Sequence, residues 1–409
     1  MNQPQVDVAQ LQRRDPEAWS ALLRLELGDE GVRVTAVAAE PVRISSQGHY
    51  RRQVNRYILT LEGCPEPITL IGKLTNREET LFYQELSPQL PDLTPRCLFT
   101  HLSDEQGWVV LDDAPCDYDA VSWTPEDAEA LVEQLASLHT MFWGQGEALQ
   151  TLGLPHFTDG RSYTWGDLRR DHAIYFEQGP AAPLSDHAIV NAGRLAPKLL
   201  QAANGLTVIR SLGGWPGILN ESHMDAVADL LDDPVPLLDP LKRLPATLIH
   251  GNPHAHHWHL SLLNAHRLLD WHDLRVGPGI FDLVSFMEQY DMLYEGGNRS
   301  QIVIRPERAI SDETMIDSYL LTMSARLGAD FDARAARMAI PSARCLYVLS
   351  SWLPHFATWF SDMPNKYTWQ KINHMSDDQL AGTPFQAIIY FRPYLSGVFH
   401  RFLQAYKTL

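Results

Sequence analysis

In the first quarter of the chain, apolar positions fall in short runs separated by Gly, Pro and polar clusters. Val32 to Val37, Arg56 to Leu61, Ile68 to Thr75 and Trp108 to Leu111 are β-prone segments of this kind and predict a small antiparallel sheet. A helix at about Arg77 to Leu86 interrupts them. From Thr124 the period changes: Thr124 can cap a helix, Pro125 suits its first position, and Glu126 and Asp127 favour its positive end. Ala128, Leu131, Leu135, Leu138 and Phe142 then recur at three and four, so one stripe faces a core to about Trp143. Ala343 to Phe360 and Ala387 to Leu403 read as further helices, and aromatics such as Trp143, Trp352, Trp359 and Phe360 as core. The expectation is an α+β chain with a β-rich small lobe over residues 1–113 and a mainly helical large lobe over 114–409.

The segment Thr247 to Asp282, TLIHGNPHAHHWHLSLLNAHRLLDWHDLRVGPGIFD, is the most informative. Thr247 to Ile249 reads as a short strand, His250 to His257 as a polar loop, and Trp258 to Leu263 as a second strand. Asn264-Ala265-His266 has turn composition, and Arg267 to Asp270 returns. At about 3.3 Å per residue the two arms are similar in length, so Asp270 is expected to finish near His257 and the preceding loop. A carboxylate would then meet several imidazoles.

Length and charge narrow the function classes. A chain of 409 residues suits two or three packed units. Thirty-three basic against fifty acidic side chains give a formal net charge of -17, which disfavours nucleic acid and anionic membranes and suits a cationic small molecule. Cys64, Cys97, Cys116 and Cys345 are scattered, without the spacing of a disulfide framework or a thiolate zinc site. With no apolar leader and no membrane-length apolar stretch, the chain reads as cytoplasmic.

The segment resembles the loop of the aminoglycoside phosphotransferase, choline kinase and ecdysteroid-kinase-like families, which share a two-lobed protein-kinase-like fold. Those families carry H-G-D-x-H-x-x-N, a short hairpin, then Asp followed by an aromatic. His250, Gly251, Asn252, His254 and His257 lie on the first motif, and Asp270-Trp271 on the second. Gly277-Pro278-Gly279 and Phe281-Asp282-Leu283 resemble the downstream segment, whose Asp buttresses the loop. Upstream, Ile71-Gly72-Lys73 resembles the strand of the ATP-phosphate lysine, and Glu79-Thr80-Leu81-Phe82-Tyr83 the helix whose Glu pairs with it. Ser46 and Gly48 fall at the phosphate-covering hairpin, Val110 and Asp112 at the adenine-side hinge, and Leu138-His139-Thr140-Met141-Phe142-Trp143 on a large-lobe helix.

The resemblance implies ATP with Mg²⁺ (or Mn²⁺) and a small-molecule hydroxyl as acceptor. In the family the loop Asp positions that hydroxyl, while the loop Asn and the second Asp hold the metal. Here those positions are Asn252, which cannot take a proton near neutral pH, and His257, whose imidazole suits transition metals better than Mg²⁺. Asp270 is retained. His254 stands where the family has His, whereas His256, His257 and His259 are additional. His257 and His259, sharing one face of an extended loop opposite Asp270, form a candidate transition-metal set. Three readings follow: a weakened ATP-dependent phosphotransferase, an ATP-independent dehydratase- or cyclase-like enzyme using the imidazoles as acid and base, and a nucleotide-binding pseudokinase.

Overall fold

The computed structural model describes residues 7–42, 54–103, 106–114, 116–117, 120–159, 195–261, 266–294, 302–305, 310–360, 363 and 365–409. The contacts divide the chain into two compact units, one of residues 1–123, 255–274 and 294–301, the other of 124–254, 275–293 and 302–409. The fold is α+β, as expected: the first unit carries an antiparallel sheet and the second is mainly helical. Among the described residues no helix is long and apolar enough to cross a membrane.

In the first unit, helices α1 (Val8–Gln12) and α2 (Pro16–Leu27) precede the sheet. Asp15 caps α2, Pro16 occupies its first turn, and Gly28 ends it with φ 65°, a left-handed conformation that glycine adopts without Cβ strain. Strands β1 (Val34–Pro41), β2 (Val54–Leu61), β3 (Ile68–Asn76), β4 (Cys97–Ser103) and β5 (Gln106–Asp112) form one sheet in the order β1-β2-β3-β5-β4. Trp19, Leu22 and Leu23 of α2 join Tyr57, Leu70, Trp108 and Val110 in one buried cluster. Because side chains alternate along a strand, Leu70 joins that core and Gly72 faces it, while Lys73 and Thr75 are buried on the other face of β3. A Cβ on Gly72 would lie 2.4 Å from the Tyr57 ring, so only glycine lets that ring cover the strand beside Lys73.

The four anticipated strands are present, each shifted or extended by a few residues. β4 was not anticipated: its residues do not alternate apolar with polar, and it lies at the sheet edge, where pairing with β5 completes what local pattern leaves ambiguous. The helix expected at Arg77 to Leu86 is an α-helix, α3 (Arg77–Leu81), running into a π turn at Phe82–Leu86. Asn76 caps α3, its side chain accepting from Glu79 N–H at 3.1 Å.

In the second unit, α4 (Pro125–Met141) starts at the Thr124 capping box and buries Ala128, Leu131, Val132, Leu135, Ala136 and Leu138. The strand Thr247–Ile249 pairs antiparallel with Arg275–Gly277. The helix Ile280–Gln289 follows and is buried along its whole length. Its entry is tight, because a Cβ at Gly279 would lie 2.5 Å from both His139 Nδ1 and the Tyr319 hydroxyl. Gly279→Ala is therefore expected to destabilise the second unit by about 1–3 kcal/mol through overpacking, seen as a lower urea midpoint.

Candidate functional site

The loop after Thr247–Ile249 is organised by a buried carboxylate in the second unit. Asp282, 0% exposed, accepts the N–H of His250 at 2.6 Å and that of Gly251 at 2.9 Å. Its Oδ2 also lies 3.3 Å from His139 Nε2, and His139 Nδ1 lies 2.8 Å from the Tyr319 hydroxyl. Gly251 has φ 83°, where a side chain would be strained. Asn252 follows. Its N–H donates to His250 Nδ1 at 3.3 Å, its carbonyl accepts from His254 N–H at 2.8 Å, and its side-chain oxygen accepts from Gln289 Nε2 at 3.0 Å. Gln289 also donates to Ser285 Oγ at 3.0 Å, one helical turn away. Gln289 and Ser285 carry no signal in the sequence that links them to residue 252.

The next stretch belongs to the first unit. Ala255–His257 forms a 3-10 turn, and Trp258–His259 pairs with Arg267–Leu268. The anticipated hairpin is therefore present, but its described strands are two residues each, and residues 264–265 of the expected turn lie outside the described residues. Leu269 N–H donates to the His257 carbonyl at 2.8 Å, and Asp270 takes the left-handed conformation, φ 65° and ψ 58°. A non-glycine residue there is uncommon, and such strain gathers where surrounding contacts over-determine the backbone.

Those contacts are numerous. Lys73 Nζ lies 2.5 Å from Asp270 Oδ1 and 2.7 Å from Glu79 Oε2. Thr75 donates its hydroxyl to Glu79, and the Trp271 N–H donates to the same carboxylate at 3.2 Å. His272 Nδ1 lies 2.9 Å from Asp270 Oδ1, its Nε2 lies 2.9 Å from Asp273 Oδ2, and His257 Nε2 lies 3.3 Å from Asp270 Oδ2. The α3 end fastens this segment: Asn76 Nδ2 donates to the His272 carbonyl at 2.8 Å, and the Phe82 and Trp271 rings stack at 3.9 Å. Thr75 and Asp273 were not anticipated as members of the cluster, although His272 follows Asp270 closely enough in sequence to be noticed.

The charges are mutually stabilised. Burial opposes the Lys73 charge, but Asp270 and Glu79 outweigh it and hold the ammonium above its ordinary pKa. Burial likewise opposes ionisation of Asp270, yet Lys73 and His272 carry its carboxyl well below the usual range. For His272 burial is outweighed by Asp273 and Asp270, which raise its pKa to about 9.

Lys73, Glu79, His257 and Asp270 are thus brought together. Asn252 and His254 sit in the second unit with the Asp282-braced loop, and His256 is half-buried in the 3-10 turn. His259 turns instead to Ala114, its Nδ1 3.0 Å from that carbonyl oxygen, and burial lowers its pKa. Val110 packs its side chain into the core of the sheet, and Asp112 ends β5 at the surface. Ser46 and Gly48 lie outside the described residues.

A lysine fixed between carboxylates fits the phosphate oxygens of a nucleotide. The fit to a metal is poor. Asp270 directs its oxygens at nitrogen groups rather than leaving them to an oxygen-seeking ion, and His259 does not join His257 and Asp270. Among the described residues no group of three or more His, Cys, Asp or Glu side chains could hold a metal ion.

No family model matches the chain, and no curated protein matches it. Among solved structures it is similar to a choline kinase from Cryptosporidium parvum Iowa II, at 11% identity and TM-score 0.43, over 91% of this chain and 89% of that one. An ethanolamine kinase from Plasmodium vivax matches at 11% identity and TM-score 0.44, over 83% and 82%. A macrolide 2'-phosphotransferase from Brachybacterium faecium matches at 16% identity and TM-score 0.39, over 85% and 99%.

The His272 pKa has a measurable consequence. A folded-state pKa of about 9, above the ordinary 6.5, stabilises the fold fully below pH 6.5 and ceases to do so as pH rises through 9. Urea unfolding between pH 6 and pH 10 is expected to show a loss on the order of 3 kcal/mol that is absent in His272→Gln.

Proposed function

We propose that the protein binds a nucleoside triphosphate through Lys73 and transfers its terminal phosphoryl group to a hydroxyl of a small molecule, as a kinase-like phosphotransferase with a weakened loop. The observation that carries this reading is the buried Lys73 ammonium held by both Glu79 and Asp270. An ammonium so fixed is pre-oriented for phosphate oxygens and loses little freedom on meeting them. The new bond joins phosphorus to the acceptor oxygen, the bond to the β-phosphate bridging oxygen breaks, the nucleoside diphosphate leaves, and the hydroxyl proton passes to solvent. Asn252 orients the hydroxyl by hydrogen bonding but cannot accept that proton. Loss of a general base slows such steps by about 10²–10⁴-fold, which a loose transition state dominated by positioning survives. The net charge of -17 favours an acceptor bearing an amine.

Nucleotide binding without transfer is a second reading, favoured by the amide at Asn252 in place of a carboxylate. The two separate in an assay of labelled phosphate from ATP into a panel of amino alcohols, aminoglycosides and macrolides, run with and without magnesium. Transfer is expected to fall at least about 100-fold in Asp270→Ala and Lys73→Ala. It should rise about tenfold or more in Asn252→Asp, because the Gln289 amide that donates to Asn252 can donate equally to a carboxylate. Nucleotide binding with no transfer to any acceptor would leave the second reading, and absence of nucleotide binding would end both.

A further inference from the structure

We propose that nucleotide is bound at the Lys73–Glu79 pair without a divalent cation ligated by the protein, because Lys73, His257 and His272 enclose the carboxylate that would anchor the ion. This rests on the nucleotide-binding reading above. The ligand class is a nucleoside di- or triphosphate whose phosphate oxygens meet N–H donors directly.

The geometry of Asp270 carries the inference. Oδ1 lies 2.5 Å from Lys73 Nζ and 2.9 Å from His272 Nδ1, and Oδ2 lies 3.3 Å from His257 Nε2. Magnesium requires near-octahedral oxygen ligands at about 2.0–2.1 Å, so an ion on either oxygen would sit against these nitrogen groups. Freeing Oδ1 means opening the Lys73 contact, and with it one of the two carboxylates that balance a buried ammonium, while freeing Oδ2 means displacing the buried His257 ring.

The His272 ring is held from its far side. His272 is tied through Nε2 to Asp273 at 2.9 Å, and its carbonyl accepts from Asn76 at 2.8 Å. The His257 carbonyl accepts from Leu269 N–H at 2.8 Å. Swinging the His272 ring away also breaks its pairing with Asp273, and the His257 ring is buried in the turn that leads into the hairpin. Imidazole at position 257 also supplies a nitrogen where a hard cation prefers oxygen. The protein thereby neutralises this carboxylate with its own side chains, the task a metal ion would otherwise perform.

Titration calorimetry of the full chain with ATP and ADP, in EDTA and in excess magnesium chloride, tests this. Affinity in EDTA is expected to equal that in magnesium within about threefold, or to exceed it. Wild-type binding tighter by about tenfold or more in magnesium would overturn the inference while leaving the nucleotide reading intact. No binding in either medium would overturn both. The double variant His257→Asn, His272→Ala returns an amide oxygen and uncovers Asp270, and it is expected to gain a magnesium preference of about tenfold. A folded double variant as indifferent to magnesium as the wild type would overturn the assignment to these nitrogens. If the double variant does not fold, the wild-type comparison still decides.

Discussion

Lys73, 6% exposed, keeps its buried charge balanced by Glu79 and Asp270 together, and much of the first unit holds them against it. Burying a charge is expensive unless it is paired and hydrogen-bonded, so the two carboxylates must arrive with little freedom left. Glu79 is held by Thr75 and by the Trp271 N–H, and Asp270 by its hairpin and by two imidazoles. Asn76 serves both sides at once, capping α3 through its oxygen and holding the His272 carbonyl through its nitrogen. The stacked Phe82 and Trp271 rings close the same junction with apolar area.

The second unit separates the scaffold of its loop from the loop's chemistry. Asp282 satisfies the buried N–H of His250 and the half-buried N–H of Gly251, and no neutral side chain of similar size would accept both with equal strength. Residue 252 is under no such demand. Asn is isosteric with Asp, and Gln289 can donate to an amide oxygen or a carboxylate alike, so either residue type fits this backbone. Position 257 lies in the first unit, where an imidazole is accommodated by pairing with Asp270. The atoms that hold the loop's backbone are therefore not the ones that the side chains of residues 252 and 257 present.

Much of this was legible along the chain. The strand runs, the Thr124 cap with its apolar stripe, and the fold-back that brings Asp270 to His257 follow from local periodicity and chain reach, which are properties of neighbouring residues. The edge strand Cys97–Ser103 and the π turn after α3 were not legible, because each depends on a partner or a packing demand outside its own segment. The expectation that His257 and His259 share a face failed to give a common site for the same reason: a 3-10 turn and the Ala114 carbonyl set their directions.

Residue types alone determined that an amide stands at 252, an imidazole at 257 and a carboxylate at 270, and hence which protons and ligands each can offer. Only the tertiary structure decided how those capacities are spent. Gln289 takes the Asn252 oxygen, Asp282 takes the loop amides, and Lys73 reaches Asp270 across 197 positions of sequence, beside the nearer His257 and His272. Hydrogen bonds and ion pairs act over a few ångströms of space, a distance that sequence order does not measure.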